Sequence, residues 1–426
     1  MPVIELGDVT ARPAPRPTRP GRRRAPVAVA LACALTLSAA ATPPVPLVRQ
    51  LWTADVLQQD GLALAGDAVY VARQTTLTAY DLATGAVRWS RGSPWDADQL
   101  VSMVVSDGMV RLAGPRVWGA TPDGGQMVFP AEVTVLDAAT GSLRWRRPGE
   151  VKQSTADAVL LGDRDPHGAL RALRLVGARD GGLRWERPLT HVLDAQVGSS
   201  RIVTLTADGD VAVYRYADGA PVTSRRVESG GAGLNTVALV SGERLFVTRT
   251  DPRGATVTAY RLDDLTRLWR QRTLRAAYLV DCGPVLCLSR GAEVAGLDPA
   301  TGEPRWLLPG RGGVSVAGPG RLLAYSNDEQ PTQALVDAAT GRVLGDGGAG
   351  WPMPAGAAAD PGILFRVSAG DPTRTVVSRI DLASGRITTI GTVASIVGVR
   401  CDGSGHYLVC RRPDGIVVTA LGDRAA

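Results

Sequence analysis

Five aspartates recur in one local setting. Asp81, Asp137, Asp298, Asp337 and Asp381 are each followed three residues on by Thr or Ser and four residues on by Gly. Recurring carboxylates are where general acid–base chemistry or a divalent cation would first be sought. Their setting gives them a plainer task. A carboxylate at a strand end accepts hydrogen bonds from the N–H groups of the turn that follows, and Gly supplies the positive φ of a tight hairpin. The histidines, His167, His191 and His406, are isolated, with no spacing for a shared metal or a nucleophile partner. The Thr84-Gly85 type of pair is no phosphate loop, because no Gly-rich turn leads into a helix or a Lys-Ser/Thr. The residues thus name no catalytic group, no cofactor site and no metal site.

Cysteine chemistry points to structure as well. Apart from Cys33 there are four, Cys282, Cys287, Cys401 and Cys410. An even number in an oxidising compartment is expected to form two disulfides; four buried free thiols are the alternative. Three connectivities are open, and the sequence favours the local one. Val280-Asp-Cys-Gly-Pro-Val-Leu-Cys reads as two strands around a Gly-Pro turn, and 399–410 repeats the idea with a longer loop. The spacings do not form a CxxC pair for zinc.

The elements that position these residues come from an internal repeat. Ala79-Tyr-Asp81-Leu-Ala-Thr-Gly85-Ala-Val-Arg-Trp89 recurs as Val135-Leu-Asp137-Ala-Ala-Thr-Gly141-Ser-Leu-Arg-Trp145 and Gly296-Leu-Asp298-Pro-Ala-Thr-Gly302-Glu-Pro-Arg-Trp306. Weaker copies keep Asp180-Gly181 with Trp185, Asp218-Gly219 without a Trp, and Leu265 with Trp269; the copies at Asp337 and Asp381 lack the Trp. The Trp that ends each unit is suited to wedging between neighbouring sheets. Short alternating runs at 62–65, 68–72 and 77–81 precede 86–89. Four strands per unit at roughly 40-residue spacing describe a propeller blade. The last unit offers three strands, 394–399, 406–410 and 416–421, while Leu51-Trp52 is a strand with no unit before it. Pairing the two, with Trp52 on the closing strand, shuts the ring and removes two sheet edges. The expected fold is therefore all-β, a single β-propeller over residues 50–421 with a short tail at 422–426. Nine partial units are visible against a usual upper limit of eight. Eight blades are expected within a range of seven to nine, with the stretch between Trp145 and Trp185 as the suspected misreading.

This Ala-x-Asp-x-x-Thr-Gly-x-x-x-Trp pattern, met in full at Ala79–Trp89 and nearly so in the other two copies, resembles the tryptophan-docking repeat of the pyrroloquinoline quinone propeller superfamily. That superfamily includes quinoprotein alcohol dehydrogenases and the propeller lipoprotein of the outer-membrane barrel-assembly machinery. The opening Pro2-Val-Ile-Glu-Leu-Gly-Asp, the basic tail, the apolar segment and the Cys-bearing hairpins look like those of actinobacterial membrane proteins with this repeat, a non-enzymatic branch for which the resemblance implies no activity. The superfamily's enzymes imply an acidic and an amide ligand for calcium, a catalytic aspartate, an adjacent Cys-Cys disulfide and a flat Trp floor. Here no Cys-Cys pair occurs, and the Asn residues, Asn235 and Asn327, match no such motif.

Charge is concentrated at one end. Residues 1–24 hold six arginines against Glu5 and Asp8, a balance of +4, which leaves about +2 of the formal +6 for the remainder. No basic stripe with interleaved aromatics appears, so nucleic acid is not an expected partner. Residues 1–24 read as a disordered basic tail in the cytoplasm, and 25–45 as an uncleaved transmembrane signal-anchor. A cleaved signal peptide is the rival, since Ala39-Ala40-Ala41 offers small residues for cleavage, and Leu31-Ala32-Cys33 faintly resembles a lipoprotein box. All three readings export the propeller, either held at the cell membrane or secreted.

The expected function is a non-catalytic protein-interaction scaffold at the cell envelope, with an unidentified protein partner. Trp95, Trp118 and Trp351 fall outside the repeat and are candidates for a contact surface, against local loop packing. The insertion at 114–131 and the loops near 328–332 and 347–361 are the expected variable regions. The rivals are a quinone-dependent dehydrogenase and a solute-binding or sensor propeller.

Overall fold

The computed structural model describes residues 48–120, 126–227, 235–273, 278–329, 331–352, 362–368, 370–396, 401–404 and 406–422. The tail at 1–24 and the apolar segment 25–45 lie outside them, as does most of 422–426. No helix among the described residues is long and apolar enough to cross a membrane.

Within residues 47–426 the described chain is built of strands, with one short 3-10 turn at Ala97–Gln99. The strands form eight antiparallel sheets, seven of four strands and one of seven. In chain order they are sheet 1 (61–92), sheet 2 (102–148), the seven-stranded sheet 3 (150–226), sheet 4 (235–273), sheet 5 (278–309), sheet 6 (313–349) and sheet 7 (351–394). The closing sheet adds Val48–Ala54 to the three strands Cys401–Ser404, Tyr407–Arg412 and Gly415–Leu421. In it Trp52 lies opposite Val418 and Val48 opposite Leu421, so the two ends of the described chain share one sheet.

The second strand of each unit shows why the sequence looks as it does. Ala68–Arg73 is apolar at nearly every position and is buried on both faces. Val69 and Val71 pack toward the closing sheet with Val409, Ile416 and Val418, while Ala68, Tyr70 and Ala72 pack toward sheet 2 with Leu112. A strand covered on both sides loses the apolar–polar alternation of a half-buried one. The outermost strands are mostly exposed instead: in Val87–Gly92 and Leu143–Pro148 only the Trp is buried, and Val87 and Leu143 are more than half exposed.

Sheet 3 holds the stretch suspected of misreading, and it is a full set of strands. Glu150–Ser154, Ala158–Arg164 and Leu170–Gly177 lead into Leu183–Val197, whose first part pairs with Leu170–Gly177 and whose second part pairs with Arg201–Thr206. One long strand thus ends one four-stranded half and begins the next. Trp185, on the first half, packs on Gly219 of the second, as each indole does between separate sheets.

Among the described residues nine hydrophobic clusters form the core, one at each contact between consecutive units, the two halves of sheet 3 counted separately. The contacts run in a circle: each sheet touches the next, and the closing sheet touches both sheet 7 and sheet 1. First strands meet one another, for example Gly61–Ala65 with Ser102–Ser106 and Asn235–Ser241 with Tyr278–Asp281, as strands near a common axis must. Two disulfides are formed, Cys282–Cys287 in sheet 5 and Cys401–Cys410 in the closing sheet.

Candidate functional site

The recurring aspartates sit in the turn between third and fourth strands. Asp81 Oδ1 accepts hydrogen bonds from the Thr84 N–H and Thr84 Oγ1, both at 2.9 Å, and its Oδ2 accepts from Arg88 Nη2 at 2.7 Å. The Arg88 guanidinium first, then Thr84, holds the Asp81 carboxyl down to about 2. Asp137 repeats the arrangement with Arg144 and Thr140, and Asp298 with Arg305 at 2.6 Å. Asp337 takes Thr340 and the more distant Arg321, and Asp381 takes the Ser384 N–H and hydroxyl. All are held below the usual carboxylate range by these donors. A carboxylate kept ionised and already hydrogen-bonded is a poor proton acceptor at neutral pH.

The sequence reading passed over the arginine one residue before the Trp. Arg88, Arg144 and Arg305 occupy the same place in all three full copies, and that repetition was the available signal. The weaker copies are also arranged differently from their reading. In them the backbone place of Asp81 is taken by Gly177, Arg215 and Arg261, each accepting from the N–H four residues on. Asp180, Asp218 and Asp264 stand three residues later, where Thr84 stands in the full copy, and cap the N–H two residues ahead. A short acidic side chain closes the turn from either place.

The tryptophans make one contact, repeated. The indole N–H of Trp52, Trp89, Trp145, Trp185, Trp269 and Trp306 donates to Leu82, Ala138, Ala178, Tyr216, Pro299 and Ala338 respectively, each a backbone carbonyl of the next unit. Each acceptor directly follows the turn's Asp or the residue in its place. Each ring also lies on the turn glycine of that unit: a Cβ on Gly85, Gly141, Gly181, Gly219, Gly302 or Gly341 would approach the indole to 2.6–2.9 Å. Those glycines therefore serve twice, for positive φ and for the absence of a side chain. Between sheets 6 and 7 Arg321 Nε donates to Leu382 O, the equivalent carbonyl, at 2.8 Å.

Outside the repeat, Trp95 is local packing: it lies against Gly114 and under the Arg146 guanidinium, 5.3 Å from the ring centroid. The side chain of Trp351 lies outside the described residues. Trp118 stands on an arm. The strands Met109–Ala120 and Gln126–Asp137 pair well past the end of sheet 2's first and fourth strands, so residues 114–120 and 126–131 extend as a two-stranded arm. On one face Phe129 meets Arg164, 5.9 Å from the ring centroid, and Gly119 passes close to Gly168 of sheet 3. On the other, Trp118 lies opposite Val128, the indole 62% exposed.

Arg164 is itself a junction. It is buried, donates to Gly168 O and Leu193 O, and pairs with Glu150 at 2.8 Å. The chain's one lysine, Lys152, bridges Glu150 at 2.9 Å and Asp194 at 2.5 Å, joining the first strands of both halves of sheet 3. A lone lysine between acidic positions was the legible hint of this network.

Three regions offer less. The histidines stay apart, His167 in the 165–168 turn and His191 at a positive-φ position of Leu183–Val197, and no group of three metal-ligating side chains occurs among the described residues. The loops near 328–332 and 347–361 are described in part, residues 330 and 353–361 lying outside. A groove of about 410 Å³ is lined by Tyr70, Arg88, Asp107, Asp137, Arg144 and Arg179, and four of these are already tied in turn contacts.

Four-stranded units joined by an indole on the next unit's turn define a β-propeller of the quinoprotein type. The family model described as "Outer membrane protein assembly factor BamB" matches residues 48–191 and 169–388, and the chain belongs to that family. Similar solved structures include BamB from Moraxella catarrhalis, at 14% identity over 89% of this chain and 99% of that one, TM-score 0.41. A quinohemoprotein alcohol dehydrogenase, ADHIIG from Pseudomonas putida HK5, is 11% identical over 89% of this chain and 77% of that one, TM-score 0.44. A structure titled as the eukaryotic initiation factor is 12% identical over 80% of this chain and 90% of that one, TM-score 0.53, a likeness of fold alone. No curated protein matches the chain.

Proposed function

We propose that this protein is a non-catalytic interaction scaffold, a closed propeller held at the outer face of the cell membrane by residues 25–45, with its basic tail inside. The observation that carries the reading is the contrast between spent and unspent groups. The recurring carboxylates and indoles that could have formed a reactive or cofactor-binding site are engaged within the repeat, whereas Trp118 is presented on a supported arm with no described partner. An exposed aromatic on a rigid element is the kind of side chain that anchors a protein interface. The family's description as an assembly factor accords with such a task. We read the ring as nine blades, sheet 3 supplying two.

The test uses the full-length protein in its membranes. Removing residues 115–130, or Trp118→Ala alone, should leave folding intact and abolish crosslinking to the partner captured by the wild type. Unchanged capture by both variants contradicts the arm's role. The dehydrogenase reading is tested alongside by titrating the purified protein with pyrroloquinoline quinone and calcium while following indole fluorescence and dye reduction. Binding with turnover would replace the scaffold reading.

A further inference from the structure

The joint between sheet 7 and the closing sheet differs from all those carrying an indole. Thr389 stands four residues after Gly385, where Trp89 stands four after Gly85. The receiving turn is missing too, because the third and fourth strands of the closing sheet, Gly415–Leu421 and Val48–Ala54, come from opposite ends of the described chain. Neither half of the usual latch is present.

A hydrophobic cluster fills this joint, with Phe365 and Ile390 from sheet 7 and Leu408 and Leu421 from the closing sheet. The Cys401–Cys410 disulfide is built into it, both residues buried. The bond links directly opposed residues of Cys401–Ser404, a strand of only four residues, and Tyr407–Arg412. Val48 packs on the same cluster and approaches sheet 7 so closely that a Cβ on Gly391 would lie 2.6 Å from Val48 Cγ2. The second disulfide is placed otherwise. Cys282–Cys287 sits in the cluster between sheets 5 and 6, which Trp306 already latches.

We propose that the Cys401–Cys410 disulfide is a redox latch on the ring-closing joint, replacing the missing indole, and that opening it releases Val48–Ala54 while sheets 2 to 5 stay folded. In the opening step an external dithiol attacks the bond; the Cys401–Cys410 S–S bond breaks, each sulfur gains an electron and a proton, and the dithiol leaves as its own disulfide. Without the crosslink the four-residue first strand no longer holds the cluster on which Val48 and Leu421 rest. The inference stands whether or not the scaffold reading holds.

Hydrogen exchange read by mass spectrometry on the full chain tests it, comparing wild type, C401S/C410S and C282S/C287S. The expected result for C401S/C410S is exchange in Val48–Ala54 and Gly415–Leu421 faster by roughly tenfold or more, with sheets 2 to 5 unchanged. C282S/C287S should affect only residues near 278–289. Should C401S/C410S fail to fold, the folded wild type treated with dithiothreitol gives the same comparison. Unchanged protection of Val48–Ala54, loss of protection in every sheet at once, an equal effect from C282S/C287S, or a bond that stays oxidised in excess dithiol until global unfolding would each overturn the proposal.

Discussion

At the scale of single residues, glycine positions separate two physical demands. Gly66 and Gly141 both have positive φ, but only Gly141 lies under an indole; nothing would meet a Cβ on Gly66. Gly66→Ala should therefore cost about 1 kcal/mol, the backbone penalty alone, and Gly141→Ala about 3 kcal/mol or more, because the Trp89 ring must move. Chemical denaturation midpoints of the two variants check the difference. Trp145→Phe keeps an aromatic ring but leaves the Ala178 carbonyl without its donor, and should cost about 1–3 kcal/mol by the same measurement. The turn carboxylates give the fold an acid limb. The folded Asp81 value of about 2 lies below its unfolded value, so its contribution is complete above roughly pH 4 and disappears as pH falls toward 2. Thermal scans between pH 5 and 2 should show a shallower loss for Asp81→Asn than for wild type, and a side-chain NMR titration should place the Asp81 midpoint near 2.

At the scale of elements, the arm at 114–131 is predicted to be energetically separable from the sheet it grows out of. Trp118→Ala removes a mostly exposed side chain and should change stability by no more than about 0.5 kcal/mol, while Arg164→Ala should cost several times that by unfastening Glu150, Phe129 and the 165–168 turn together. Calorimetry on both variants distinguishes them. The repeat was readable here because Asp, Gly and Trp each have a local reason for their place: a turn to cap, a positive φ, a gap to fill. Arg88 and its equivalents repeat as faithfully but were passed over, because a guanidinium reaching back seven residues to Asp81 leaves no periodic hydrophobic trace. The arm was legible as an insertion, yet its paired strands and the side on which Trp118 emerges depend on register with 126–131. Sheet 3 was hard to divide for a related reason: Leu183–Val197 runs without a break from pairing with Leu170–Gly177 to pairing with Arg201–Thr206, so no turn marks the place.

At the scale of the whole molecule, circular contact and shared chain ends follow from a single requirement, that no sheet edge be left at the junction of first and last units. The same requirement made Leu51-Trp52 intelligible in the sequence as a strand in search of a sheet. If the apolar segment at 25–45 is retained as an anchor, the intact mass of the protein from membranes will include residue 1; a mass beginning near residue 42 would instead mark a cleaved leader. The central claim, one ring joined by indoles and shut by both ends of the described residues, is tested most directly by R49C/A420C, a pair directly opposed across the closing strands. A monomer carrying an internal crosslink between the two engineered cysteines, found by peptide mapping under mild oxidation, is the predicted result. Engineered thiols that remain free in the folded monomer would contradict it.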